Sequence, residues 1–479
     1  MTPGAPTESQ PPPVEVLVFS TGIGVFMSAL DGSIVNISLQ TIAVHFSALQ
    51  SDVQWIVLSY LLTIVSFTTL SGLIGDRLGT KPIFQLGVAL FAVGSLLCAL
   101  STTLESLIFF RFVQGLGSTG IFANGIAIVT RFTTKANRGY ALGWNSSIVA
   151  LALTTGPILG GFLTESFGWQ SVFLVNVPVG VLGLFLVQKL IPATPPIESG
   201  PKKVDLLGII TFAGFIAFLI LGISSLGRLN ETIGTMNAIF SFLLSGAFFV
   251  ALLVTESRVD SPVFDLKLFR TEKKIPLGVL SAALTFCCLN VLLFQLPYYW
   301  QESLGYSPAE TGFLILGVPL SMAIVGPISG RMSDKIDARL LSTMGILGLG
   351  VITAVLALTL SSISPEIVAL LLVLVGTSIA IFASPNGNSV MSASPREKLG
   401  VVGGLLGISR STGFSLGISL STSFLAIFSS VMDLSIEESY GLGLQMVFAA
   451  SLALIVVAAI LSSARGKEGT EQGYIKEAI

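Results

Sequence analysis

Long apolar stretches of about twenty residues alternate with short polar ones along almost the whole chain. Each is long enough to cross about 30 Å of hydrocarbon. They fall at about 15–40, 53–75, 82–101, 104–130, 138–164, 169–190, 205–226, 233–255, 275–300, 309–331, 340–361, 366–390, 399–429 and 441–463. The runs are too long and too uniformly apolar for barrel strands, so each is predicted to be a helix whose backbone is satisfied internally in lipid. The pattern therefore predicts an all-α polytopic membrane protein with fourteen spans.

The positions of Lys and Arg test that count. Of 24 such residues, 21 fall in loops or ends on one side, only Arg228 falls on the other, and Arg111 and Arg410 lie inside spans. A missed or invented span would scramble this asymmetry. Basic loops stay in the cytoplasm, which places both termini there and the chain in the cell membrane. The polar, Pro-rich start has no Lys or Arg before span one, unlike a cleaved signal peptide, so span one is expected to persist as a membrane helix.

Composition agrees. The chain is 52% hydrophobic and only 10% charged, with a mean hydropathy of +0.88, against about 25% charged in soluble domains. Cys98, Cys287 and Cys288 lie in apolar runs and read as small core residues. His45, the only histidine, is expected on the surface of the first outer loop. It leaves no Cys/His metal spacing and no nucleophilic triad. No metal, no cofactor and no enzymatic reaction is expected.

Two polar loops, 191–204 and 256–274, bracket spans seven and eight. They divide the chain into a tail (1–13), six spans (14–190), a linker with two extra spans (191–270), six spans (271–465) and a tail (466–479). The loops after spans two and ten are alike, as are the stretches through spans four and twelve, so the six-span blocks read as repeats, as in transporters that rock one half against the other.

Asp31 is the most informative residue. It is the one charge deep in span one, apart from Glu15 at its start, and a mid-membrane carboxylate costs about 3 kcal/mol or more, which marks function by default. Counting about 1.5 Å per residue, Asp31 and Arg111 fall at similar depth in the outer half of the membrane, so they are expected to pair. The guanidinium favours the charged carboxylate and the apolar surroundings the neutral acid, so a proton or a substrate could tip the balance. A structural pair is the competing reading. Arg410, near the middle of span thirteen, either lines a wet cavity or is bonded to carbonyls. Trp55, Trp169 and Trp300 stand where an interfacial aromatic belt is expected.

Several motifs, in order, resemble the major facilitator superfamily and its 14-span drug/proton antiporters. They are Asp31 with Asn36 in span one, Gly72 through Asp76, Arg77, Gly79 and Lys81 after span two, and Arg111 with Gln114 and Gly115 in span four. Gly156-Pro157 with Gly160-Gly161 in span five, Trp169 to Gly180, and the glycines around Arg410 continue the series. Ser33 and Gln40 depart from the family's Thr and Pro. Gly115, Gly117 and Gly120 also match G-x-G-x-x-G, but no strand precedes them, so they read as helix-packing glycines.

The resemblance implies a major facilitator fold: two six-helix bundles around a central cavity, with an inserted helix pair at the periphery. It implies a monomeric secondary transporter that exports an amphipathic small molecule or drug against protons, with the bilayer as its setting and no nucleic acid. Asp31, Arg111, Asn36, Gln114 and Arg410 would serve proton coupling or substrate. Gly72, Asp76, Arg77, Gly79, Lys81, Arg331 and Asp334 would gate the cytoplasmic face. Gly156, Pro157, Gly160 and Gly161 would form an outer hinge. A proton-independent uniporter or symporter of a small neutral or anionic metabolite, and a non-transporting sensor or scaffold, stay open. Spans nine to thirteen carry no acid inside the membrane. A cavity with two arginines and one acid suits neutral, zwitterionic or anionic amphiphiles.

Overall fold

The computed structural model describes residues 13–133, 135–194, 205–228, 232–259, 266–333, 335–395, 399–431 and 436–466. Among the described residues, fourteen helices are long and apolar enough to cross a membrane. They are α1 (Val14–Phe46), α2 (Gln50–Leu78), α3 (Thr80–Ala99), α4 (Leu104–Phe132), α5 (Lys135–Phe167), α6 (Ser171–Leu190) and α7 (Leu206–Arg228). There follow α8 (Thr232–Arg258), α9 (Lys274–Ser303), α10 (Pro308–Ser333), α11 (Ala338–Ser362), α12 (Pro365–Ser392), α13 (Leu399–Val431) and α14 (Ile436–Ser463). Each overlaps one of the fourteen apolar runs; the runs at 82–101, 169–190 and 205–226 extend one or two residues beyond their helices.

Helix ends follow local chemistry. Thr103 and Ser106 close a reciprocal capping box at the start of α4, and Ser307 and Glu310 close another at the start of α10. Gly79 links α2 to α3 at φ +101°, a region that disfavours any side chain. α1 runs past the expected end at residue 40, because Ile42 and Ala43 are buried and extend its packed face. His45 therefore sits in the last turn of α1 rather than in a loop, exposed and against the Trp169 ring.

The first six helices share one apolar core, which Ile216 and Ile220 of α7, Phe294 and Tyr298 of α9 and Ile418 of α13 also enter, and the last six share another, which Ile37 of α1 enters. In the first, α3 lies tight on α4. A Cβ on Gly117 would come within 2.7 Å of the Gly87 carbonyl, and one on Gly120 within 2.8 Å of the Gly87 Cα. These glycines are a packing surface, as their mid-membrane setting suggested. Trp169 and Trp300 are 2% and 0% exposed. They pack inside the protein instead of forming a belt, because aromatic neighbours such as Phe46 and Phe173 enclose Trp169.

α7 packs against both α2 and α13, one helix from each half, while α8 packs chiefly on α7. Ile239, Leu243 and Val250 of α8 are exposed, a surface suited to lipid and not to water. The two halves meet at the face poor in Lys and Arg. Hydrogen bonds between them include Gln50 Nε2 to Gln295 Oε1 (3.0 Å), Tyr440 Oη to Gln50 Oε1 (3.2 Å), Gln301 Nε2 to the Ile37 carbonyl (3.1 Å) and Ala309 N to Glu165 Oε2 (3.2 Å). These lie at that face, so the halves are joined there.

Candidate functional site

Asp31 and Arg111 meet as their depth suggested. Arg111 Nη1 lies 2.5 Å from Asp31 Oδ2, with the two side chains 1% and 0% exposed. The other carboxylate oxygen, Oδ1, accepts from Gln114 Nε2 at 2.8 Å and from Asn176 Nδ2 at 3.2 Å. Gln114 also donates to Ser95 Oγ (2.7 Å) and accepts from Arg111 Nη1 (2.6 Å). Arg111 Nε donates to the Ile56 carbonyl (2.9 Å), and its guanidinium lies 4.2 Å from the centre of the Tyr60 ring. The Tyr60 hydroxyl is held in turn by Ser28 and Ser118.

This cluster gathers α1, α2, α3, α4 and α6 around one ion pair. Arg111 and Gln114 are three apart on α4 and so share a helix face. Taking both charges out of water is costly, and the geometry offsets that cost only because nearly every donor has an acceptor. Asn176, Ser95 and Tyr60 were not among the expected site residues. The signal was present for Ser95 and Asn176, each a polar group isolated in an apolar run, but not for Tyr60, which follows Ser59.

Asn36 and Arg410 do not join the cluster. Asn36 lies five residues beyond Asp31, on another face of α1; it is half-buried and its Oδ1 has no partner. Arg410 belongs to α13 in the other half and is exposed. A cavity of about 630 Å³, lined in part by Asp52, Trp55, Glu105 and Arg228, opens at the Lys/Arg-poor face. None of the Asp31 cluster lines it. Arg228 and Asp52 pair beside it at an exposed site, where an ion pair adds little stability.

The residues expected to gate the basic face divide into two groups. Lys81 Nζ donates to the Gln188 and Ile191 carbonyls at 3.2 and 2.5 Å, at the end of α6, and Lys81 N donates to Thr194 Oγ1 at 2.7 Å. A side chain on Gly79 would strike the Thr194 carbonyl. Asp76 lies near Arg131, and Gly72 meets only Ala123, at 3.6 Å. Arg77 and Arg331 are exposed, and among the described residues no ion pair joins the halves at this face. Asp334 lies outside the described residues. Gly79→Ala is expected to cost about 1–3 kcal/mol in backbone strain, read as a lower Tm in detergent.

The α5 motif faces two ways. A Cβ on Gly156 would lie 2.8 Å from Ser33 Cβ, and one on Gly160 2.7 Å from the Ile34 carbonyl, both in α1. A Cβ on Gly161 would strike the Pro308 carbonyl and lie 2.7 Å from Ala309 Cα, while one on Gly312 would strike the Pro157 carbonyl. The motif thus brings α5 against α1 within one half and against α10 of the other.

Comparison with known proteins bears on the family and the fold. The profile of the Major Facilitator Superfamily matches residues 21–418. The chain is 32% identical over 404 residues to the riboflavin transporter RibZ of Clostridioides difficile (strain 630), covering 84% of this chain and 86% of that protein. It is 30% identical over 413 residues to the multidrug resistance protein Stp of Mycobacterium tuberculosis (strain CDC 1551 / Oshkosh), covering 85% and 75%. Among solved structures, a bacterial homologue of the human lysosomal transporter Spinster superposes with a TM-score of 0.69 at 16% identity, over 96% of this chain and 98% of that one.

Proposed function

The chain belongs to the major facilitator superfamily, and from that premise we propose that it exports an amphipathic small organic molecule in exchange for protons, by alternating access. The observation that carries this reading is the Asp31 carboxylate, fully buried yet held by a guanidinium and two amides drawn from two other helices, α4 and α6. A proton on Asp31 would remove the charge that binds Arg111, and with it the strongest link between α1 and α4 at mid-depth. Loss of that link frees α1 to shift, which is the coupling step.

The same geometry supports the order of events. The halves touch at the Lys/Arg-poor face through α5 and α10 and through Gln50, Gln295 and Tyr440. We read the basic face as cytoplasmic, so this is a state closed to the outside. The resemblance to the multidrug resistance protein Stp supports a drug-like cargo. The resemblance to the riboflavin transporter favours a second reading, a uniporter or symporter of a planar metabolite in which the Asp31 pair is a fixed strut.

Purified protein in liposomes with an imposed pH gradient separates the two. The exchanger is expected to accumulate a fluorescent amphiphile against its own gradient only while the lumen is the more acidic side, the opposite orientation from a proton symporter, and a protonophore should abolish accumulation. Accumulation or equilibration at the same rate with and without the gradient would defeat the proposal.

A further inference from the structure

α13 changes character along its length. Towards the Lys/Arg-poor face it is packed: Gly413 and Gly417 lie against the Ala283 and Cys287 carbonyls of α9, and Ser423 Oγ donates to the Ile223 carbonyl of α7 at 2.7 Å. Towards the basic face one side of it is open, for a Cβ on Gly404 or Gly407 would meet nothing within 4 Å, while Val402, Leu405 and Ser409 on its other side are buried. Arg410 stands where packing gives way to that opening. It lies deep among protein atoms, yet its side chain is exposed. It makes no hydrogen bond and no ion pair with any described residue.

The charges around it are one-sided. Asp31, the acid at membrane depth, is sealed and already neutralised by Arg111. In the second half, Glu272, Glu302, Glu310, Asp337 and Glu366 lie at helix ends or in loops, and Glu437 and Glu438 fall in the first turn of α14. A guanidinium without a partner in a low-dielectric gap concentrates negative charge there, and its planar fork suits carboxylate, sulfonate or phosphate. Phe414, one turn away and half-buried, packs against Phe286 with ring centres 5.7 Å apart and offers an apolar wall.

We propose that Arg410 is an anion-recognition residue at the open side of α13, so that the cargo is an amphipathic organic anion. This rests on the transport reading above and names its substrate class. The acidic group meets Arg410 and the apolar body lies along α13 towards Phe414. The Asp31 pair stays out of contact with the cargo and is left to the proton.

The test is equilibrium binding to the full chain in phosphatidylcholine nanodiscs, with fluorescein as the anion and ethidium as the cation. The native protein is expected to bind fluorescein saturably and more tightly than ethidium. Arg410→Gln should weaken fluorescein at least about tenfold, with ethidium unchanged or tighter, and Arg410→Lys should recover only part of the fluorescein affinity, since it restores the charge without the planar fork. Unchanged ethidium binding also reports that the variant is folded. Equal fluorescein binding by native protein and Arg410→Gln, or a native preference for ethidium, would overturn the proposal. Loss of Arg410-dependent fluorescein binding on adding phosphatidylglycerol would assign the guanidinium to a lipid headgroup and overturn it as well. No gradient is involved, so failure of pH-driven flux with Arg410-dependent binding intact would fault the transport reading alone.

Discussion

Arg111→Ala is expected to destabilise the protein by about 3–5 kcal/mol, the usual cost of leaving one member of a buried ion pair alone. The substitution strips Asp31 Oδ2 of its donor, frees the Ile56 carbonyl and removes the cation from over Tyr60. The carboxylate would remain at 0% exposure with two amides for company. Asp31→Asn should cost about as much, about 3–5 kcal/mol, since it leaves the buried Arg111 guanidinium charged and without a carboxylate, even though Gln114 can still donate to the amide oxygen. Both variants should lose pH-driven accumulation, to the level of empty liposomes. The decisive variant carries Asp31→Asn and Arg111→Gln together. Neither charge remains, so much of the stability should return, and thermal unfolding reads that recovery. Under proton coupling the flux should not return with it. Restored pH-driven accumulation in the double variant would make the pair a strut and not a coupling device.

The sequence was most informative where physics leaves few choices. Fourteen apolar runs became fourteen helices because lipid offers a spanning backbone little else. Asp31 and Arg111 could be paired from depth alone, since charges at that level need each other. Their company was harder to read. Gln114 lies three residues after Arg111 and was within reach of helix periodicity, but Asn176 enters from a distant helix whose rotation no local pattern specifies. Asn36 was grouped with Asp31 by motif, although five residues of α-helix turn it to another face. Trp169 and Trp300 fit an interfacial belt by position, and only tertiary packing encloses them. Arg410 left two readings, lining a cavity or bonding to carbonyls, and its exposed side chain without hydrogen bonds favours the first.

Gly161→Val should shift the balance between conformations while leaving each half intact. Its side chain would grow into the Pro308 carbonyl and Ala309 Cα, which are backbone atoms with little room to yield. Overpacking of this kind costs about 1–3 kcal/mol, and about 3 kcal/mol lowers the population of the closed Lys/Arg-poor face by about 150-fold. Parting α5 from α10 relieves the clash, so the penalty falls on one state and not on the fold. Gly160→Val is the control. Its side chain would strike the Ile34 carbonyl within the first half, so it should lower Tm without opening the face. A cysteine placed at Ala309 reports the difference, because Cys98, Cys287 and Cys288 are all buried. Labelling by an impermeant maleimide should rise about tenfold or more in Gly161→Val and stay at the native rate in Gly160→Val, with transport nearly abolished in the former. Native labelling and native flux in Gly161→Val would mean that α5 and α10 do not form the seal whose opening and closing the cycle requires.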